Sequence, residues 1–457
     1  MQGCKFRDAR IGKRLIKLTQ QLSEGNAESI PLSCQDWAST KAAYRLFANN
    51  NINEQEICEG HYQSTRTRFA ETEGPILVLH DTSEIAYYRM HPEKIGIINK
   101  PKKDEKRTAC GVLMHTSLVI TPEGLPLGLS AVKFWNRKKI KGVTALRGKF
   151  NLVQQVPIEE KESYRWIESL RQSTQRLGEP HRLVHVGDRE SDIFEFFYEA
   201  KMLDSNFLVR ICANRKTDGD LSTLYKQMEA STSKGIYRIC YRDVDGSEIE
   251  TDLEVKFEKM IIQPPRGIKR DRYTDIAVNV IFATEINKPQ GARKKIVWKL
   301  ITDLPVSSLD DAVEKLEWYA LRWKIEVYFN ILKSGCGVEN SKLRTAEGIF
   351  KLLSIYCIIS WRIFWMTMIN RESQNLPAAV ALTEKEILIL DTLKPDKKPN
   401  SKKQKNLSDY LLKIAMLGGY LARSSDPPPG NKVMWRGMTK LLEIHLGVEI
   451  GMKLVGN

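Results

Sequence analysis

The chain has 457 residues, 42% of them apolar, with a formal net charge of +15 and a pI near 9.3. That length accommodates two or three domains around a well-buried core. The charge suits a polyanionic partner, nucleic acid or an acidic membrane surface. No run of 18 apolar residues occurs. The longest candidate, FKLLSIYCIISWRIFWMTMI, is broken by Lys351 and Arg362, so it reads as a buried helix and no membrane partner is expected. Eight cysteines stand singly without a CxxC pair, which argues against zinc and for reduced thiols. The opening stretch, MQGCKFRDARIGKRL, is charged and lacks a signal-peptide core, so a cytoplasmic location is expected.

Residues 1–70 read as a helical domain. Asp8 precedes ARIGKRLIKLTQQLSEGN, where Ile11, Leu15 and Leu18 recur at helical spacing and Gly25-Asn26 closes the element. Arg7, Arg10, Lys13, Arg14 and Lys17 cluster near its start. A second helix, DWASTKAAYRLFANN, ends at an Asn-rich turn. The module is small, helical and basic, as a DNA-end reader is; a solvated helix face explains it nearly as well.

The texture then turns to strands. PILVLHDTS (75–83) is an apolar run ending at Asp81, and CGVLMHTSLVITPEGLPLGLSAVKFW (110–135) reads as a hairpin about a Pro-Glu-Gly turn. Residues 159–177 look helical, and HRLVHVGDRESDIFEFFYEA is a strand running into a helix, with Asp188 at the junction. Two acids thus end two strands of a mixed α/β sheet, where ligands and metals gather. Strand alternation turns His80 away from the Asp81 face, so His80 and His185 read as packing residues. Arg189 reads as a phosphate contact or a partner for Glu190 or Asp192. Glu190 and Asp192 themselves read as caps of the following helix. From 206 to about 305 the chain is strand-rich, with a β insertion placed at about 211–305 that includes the basic turn QPPRGIKRDRY. A long helix over 308–335, an apolar helix over 346–370, a basic linker over 393–406 and a C-terminal helical piece interrupted by DPPPGNK follow.

Within the long helix, WYALRWKIEVYFNILKSG places one carboxylate, Glu326, among cations and aromatics. At 3.6 residues per turn, Tyr319, Arg322, Glu326 and Lys333 share a stripe roughly 60° wide. Trp318, Leu321, Ile325, Phe329 and Leu332 form an adjacent apolar stripe suited to packing on a sheet. An ordinary intrahelical Arg-Glu pair accounts for this helix taken alone. The chain as a whole adds two more acids. Asp81, Asp188 and Glu326 together meet what phosphodiester cleavage requires, a hard cation such as Mg²⁺ held by a few carboxylates. Nearby Arg and Lys would hold the DNA phosphates.

The spacing Y-x2-R-x3-E-x6-K, here Tyr319, Arg322, Glu326 and Lys333, resembles the signature of insertion-sequence transposases of the IS-four family, the group containing the Tn-five transposase. The likeness runs from FRDARIGKRL through AAYRLFANN to LGGYLARSSDPPPGNKVMWRG. HDTSE resembles the family's first-aspartate strand and GDRESD its second-aspartate motif, and EINKPQGARKKIVWKLITDLPV resembles the end of its β insertion. The resemblance implies an α/β fold: an RNase H-like catalytic core (71–372) with a β-strand-rich insertion. A helical N-terminal DNA-end-binding domain (1–70) and a helical C-terminal dimerisation region (373–457) would flank it. It also implies Asp81, Asp188 and Glu326 as the catalytic, metal-binding triad, holding two Mg²⁺ ions that Mn²⁺ can replace.

By the same resemblance Tyr319, Arg322 and Lys333 hold the DNA end, and Arg210 and Arg215 at the mouth of the insertion are further DNA contacts, a solvated rim being the alternative. Trp298 would stack on a flipped base while a hairpin forms, a core strand tryptophan being the alternative. The implied reaction is cut-and-paste transposition. A nick exposes a 3′-hydroxyl, which attacks the opposite strand to make a hairpin; the hairpin reopens and the 3′ end joins target DNA. The implied partners are terminal inverted repeats, target DNA and a second copy of the chain. The family carries a further stretch ahead of FRDARIGKRL, so a shortened, inhibitory or inactive form is one alternative. A stand-alone RNase H-like nuclease is another.

Overall fold

The computed structural model describes the chain except residues 1–3, 5, 7, 25–28, 90, 99–107, 138–156, 219–220, 243–247, 266–271, 288–293, 373–375, 396–404, 424, 427 and 456–457. The centre of the expected basic turn at 263–273 and most of the expected linker at 393–406 therefore lie outside the described residues.

Four helices open the chain: α1 (Ala9–Glu24), α2 (Ile30–Cys34), α3 (Trp37–Phe47) and α4 (Glu54–Ala70). Their starts follow the side chains. The Asp36 carboxylate accepts from Ser39 N–H at α3, and Asn53 and Glu56 form a reciprocal capping box at α4. Leu15, Leu18 and Leu22 of α1 are buried, as their spacing requires.

Among the described residues nine strands form one sheet: β1 (Ile76–Arg89), β2 (Thr108–Ile120), β3 (Pro126–Trp135), β4 (Leu183–Gly187), β5 (Asn206–Arg210), β6 (Gly235–Arg242), β7 (Glu248–Ile262), β8 (Ile276–Glu285) and β9 (Val297–Thr302). Their order is β3-β2-β1-β4-β5-β9-β8-β7-β6. The β1–β4 and β4–β5 pairs are parallel and the other pairs are antiparallel. The expected hairpin is β2–β3. Gly124 in its turn has φ +96°, and a Cβ there would lie 2.1 Å from Lys324 Nζ, which donates to the Gly124 carbonyl at 2.9 Å.

One expectation changes here. The first strand continues to Arg89, so Asp81 lies inside β1 and not at its end. The strands of the insertion extend the same sheet. Leu208, Val209 and Arg210 of β5 pair with Thr302, Ile301 and Leu300 of β9, and β8 pairs with the far side of β9. The edge of β5 would otherwise expose unpaired backbone, and the returning strand satisfies it.

α5 (Tyr164–Leu177) and α6 (Phe194–Met202) follow β3 and β4, and α7 (Leu224–Ala230) lies within the insertion. α5 covers the sheet face that carries His80 and His185. Both imidazoles are buried, and they sit 2.8 Å apart, with Ser117 and Thr174 as their outer partners. Burial holds their pKa values below the usual range, so they are neutral packing residues, as expected.

On the opposite face lie α8 (Leu309–Ala320), α9 (Trp323–Asn330), a π-helical turn (Ile331–Gly335) and α10 (Ala346–Glu372). The helix expected over 308–335 is thus interrupted twice. At Leu321 and Arg322 the backbone turns before α9 begins. At its far end the Ser334 hydroxyl back-bonds to the Asn330 carbonyl at 2.6 Å, inside the wider π turn. The apolar stripe survives: Trp318, Ile325, Phe329 and Leu332 are buried.

α10 is the one helix among the described residues long and apolar enough to cross a membrane, and 83% of its apolar window is buried within the protein. The Lys351 that interrupts its apolar run has a definite task. Its ammonium donates to the Phe47 and Asn49 carbonyls at 3.1 and 2.7 Å, closing the C-terminus of α3 and joining that helix to the core. α4, within the expected helical domain of residues 1–70, packs on β3 and α10 and so rests on the sheet layer. α11 (Glu384–Leu393), α12 (Leu407–Leu417) and α13 (Asn431–Val455) complete the chain as the expected helical C-terminal piece.

Candidate active site

Backbone register brings two of the three acids level. β1 and β4 pair as Ile76↔Leu183 through Leu79↔Val186, and the same offset carried two residues further sets Asp81 opposite Asp188. Neighbouring strands lie about 4.8 Å apart. β4 ends at Gly187, so Asp188 stands just beyond the ladder, where its carboxylate accepts from Glu190 N–H at 2.8 Å. Asp81 faces the same side as Leu77 and Leu79, against which α9 packs.

The third acid arrives through Arg322. Its guanidinium donates to Asp81 Oδ2 at 3.1 Å and to Glu326 Oε1 at 2.5 Å. Burial pushes the Asp81 carboxyl up to about 6. Arg322 and the Thr82 N–H pull it down, and Asp188 and Glu326 push it further up. Burial opposes the charge on Arg322, but Tyr319, Asp81 and Glu326 around it raise its pKa overall. The three carboxylates therefore share one electrostatic site, with Arg322 between two of them. Among the described residues no three His, Cys, Asp or Glu side chains are already gathered as a finished metal-ligand set.

The donor chemistry nevertheless fits a hard divalent cation. A carboxylate as buried as Asp81, 18% exposed, raised by burial and by two other acids, has less positive charge around it than its ionised form requires. Arg322 supplies part of that charge.

The other expected residues divide. Tyr319 is buried, which raises its pKa, and Arg210 hydrogen-bonds to it. Trp298, half-buried, meets the Tyr319 ring edge-on with centroids 6.2 Å apart, and Arg210 also donates to the Val297 carbonyl at 3.0 Å. Arg210, Trp298, Tyr319 and Arg322 thus form a continuous wall from the insertion to the acids. Tyr319 departs from the idealised stripe: it packs inward where an unbroken helix would present it beside Glu326. Lys333 is half-buried on the π turn, with no ion pair or hydrogen bond among the described residues.

Arg215 is not presented as a free cation. It pairs with Asp192 at 2.5 Å, donates to the Asp192 carbonyl at 2.9 Å and lies over the Phe197 ring. Asp192 does not cap α6 either: its carboxylate accepts from Cys212 and Ala213 N–H, both at 2.7 Å, and so fastens the start of the insertion. Glu190 pairs with Arg165 and leaves the helix start uncapped. Arg165, the partner of Glu190, is not singled out by the sequence. Its one local signal is its place between Tyr164 and Trp166 on an otherwise ordinary amphipathic helix.

Two family models match this chain. Residues 1–52 match a transposase DNA-binding model, and residues 128–362, more than half of the 457, match a transposase DDE domain model. The chain belongs to the DDE transposases. The mixed sheet is the RNase H-like core such a domain implies, and the transposase acts on phosphodiester bonds. DNA is its partner through the N-terminal domain, and enzymes of this kind use divalent metal ions. The DDE match begins in β3 and includes Asp188 and Glu326, while Asp81 lies ahead of it on β1.

Proposed function

We propose that this transposase is an insertion-sequence enzyme of the IS-four kind, with Asp81, Asp188 and Glu326 as its catalytic carboxylates and a cut-and-paste reaction that passes through a DNA hairpin. The observation that carries the reading is the bridge from Arg322 to both Asp81 and Glu326, beside a strand register that levels Asp81 with Asp188. Asp81, Asp188 and Glu326 would hold Mg²⁺ or Mn²⁺, two ions per site. The metal supplies Lewis acidity at the phosphorus and lowers the pKa of the attacking hydroxyl.

The chain's own groups do the rest. Arg322 donates to two carboxylates, and its planar fork suits a phosphate equally well, so a DNA end would draw it from the carboxylates onto the backbone. Lys333, with no partner among the described residues, adds a point charge for a neighbouring phosphate. Trp298 offers its ring to the base displaced as the strand reverses, with Tyr319 and Arg210 bracing it from behind. Arg215 contributes by holding the mouth of the insertion in place. The functional unit is a homodimer bridged by two DNA ends, with the helices after residue 373 as the pairing region. It works in the cytoplasm on nucleoid DNA.

A linear fragment carrying the gene with its native flanks tests this reading. Incubated with protein and Mg²⁺, it should yield 3′-hydroxyl nicks at short inverted repeats, end hairpins and joined products. Nicks alone, with no hairpin and no strand transfer, would favour a stand-alone nuclease. End binding without cleavage would favour an inhibitory form.

A further inference from the structure

The parallel ladder between β1 and β4 ends at Leu79↔Val186, two residues short of Asp81 and Asp188. Beyond it no backbone pairing between these strands fixes the distance from one acid to the other. A run of side-chain contacts does. Thr82 N–H donates to Asp81 Oδ1 at 2.7 Å, and Arg165 Nε donates to Thr82 Oγ1 at 3.0 Å. Arg165 Nη2 pairs with Glu190 Oε2, and Glu190 N–H donates to Asp188 Oδ1 at 2.8 Å. Each aspartate thus rests on the N–H of a residue whose side chain is held by Arg165.

The guanidinium is well fixed for this task. It is 11% exposed, its Nη1 donates to the Glu162 carbonyl at 2.9 Å, and its carbon lies 5.6 and 5.7 Å from the Trp135 and Trp166 rings. Thr82 is held a second time, by His115 Nδ1 at 2.9 Å, and the His115 ring stands edge-on to Trp166. An arginine fork carries several donors in one rigid plane, so it spans two acceptors on different elements at a set separation; a lysine point charge does not.

We infer that Arg165 is a positioning residue that sets the spacing of Asp81 and Asp188 for metal binding. This rests on the reading of those two aspartates as metal carboxylates. Partners that orient metal ligands typically change metal affinity 10–100-fold when removed.

The test uses the full chain bound to its DNA end, with Fe²⁺ in place of Mg²⁺ and ascorbate and peroxide added, so that radicals cut the polypeptide beside bound iron. The wild type should be cut near residues 81 and 188. Arg165→Met and Thr82→Val should each lower that cutting about tenfold at equal Fe²⁺, and raise the Mg²⁺ concentration for half-maximal nicking by a similar factor. End binding without metal should be unaltered, and excess Mn²⁺ should recover most of the nicking. Arg165→Lys, which keeps the charge and loses the fork, should not restore the wild-type metal dependence.

Wild-type cutting and Mg²⁺ dependence in Arg165→Met would overturn the inference and leave the triad standing, provided Asp81→Asn still abolishes nicking. If Arg165→Met does not fold, Thr82→Val decides in the same way. Full rescue by Arg165→Lys would likewise overturn it. Normal nicking by Asp81→Asn would overturn both the inference and the reading beneath it.

Discussion

Arg322 meets Asp81 at 3.1 Å although 241 positions separate them, and meets Glu326 four positions along its own segment. One cation therefore ties a strand near the start of the sheet to a helix that follows the whole insertion. The break at Leu321 and Arg322 belongs to the same arrangement, because it frees the Arg322 side chain to reach β1 while Trp318 and Ile325 stay packed.

Without DNA or metal, the ionised form of Asp81 costs stability. Its folded pKa, about 6, lies above the ordinary 3.8. The folded state therefore binds the proton more tightly than the unfolded chain, and the stability from that proton is complete below about pH 4 and lost as pH rises through about 6. Asp81→Asn should then stabilise the metal-free protein at pH 7.5 by at most about 3 kcal/mol, about two pKa units at 1.36 kcal/mol each. The gain should vanish at pH 4. Urea unfolding in EDTA at the two pH values measures it, and an equal effect at both would contradict the burial of that charge.

The insertion mouth depends on the Asp192–Arg215 pair, with side-chain exposures of 0% and 10%. Removing the acid strands a buried guanidinium and two N–H donors. Asp192→Ala should cost roughly 3–5 kcal/mol in denaturant unfolding. A loss under 1 kcal/mol would mean that the pair is open to water in solution.

Lys351→Met keeps the bulk of the side chain, leaves the Phe47 carbonyl without its donor and leaves the Asn49 carbonyl only the Ile52 N–H at 3.4 Å. The expected loss is about 1–3 kcal/mol, together with faster proteolysis in the turn between α3 and α4. Unchanged proteolysis there would show that Lys351 does not join the N-terminal helices to the core.

Trp298→Ala should leave the first nick near its wild-type rate and slow hairpin formation. A base–aromatic stack is worth about 1–3 kcal/mol, which corresponds to roughly 5- to 150-fold. Trp298→Phe should fall between the two. Gel separation of nicked and hairpin products measures both steps, and equal slowing of each would assign Trp298 to packing against Tyr319.

Much of this was legible in the residues because it is local. Alternation put His80 in the core, a Pro-Glu-Gly turn announced β2–β3, and the apolar stripe of α8 and α9 survived two interruptions of the helix. Other features depend on partners far away in sequence. Nothing in Asn206–Arg210 says that its free edge will take a strand about ninety residues later. Nothing in Asp192 distinguishes a helix cap from an anchor for Cys212 and Ala213. Arg165 looks like any cation on an amphipathic helix until Thr82 and Glu190 are brought against it. The stripe of Tyr319, Arg322, Glu326 and Lys333 was an idealisation of a straight helix; tertiary contacts turned Tyr319 inward and set Lys333 on a π turn.

Whether Asp81, Asp188 and Glu326 form one metal-dependent centre is decided by nicking of a native-end fragment with Asp81→Asn, Asp188→Asn and Glu326→Gln in Mg²⁺. Each variant should still bind the end, and each should lose nicking by about a thousandfold or more, roughly the 4 kcal/mol that a group essential to the transition state supplies. End binding with near-wild-type nicking in any one of the three would remove that residue from the centre, and removal of Asp81 would leave β1 without a catalytic part.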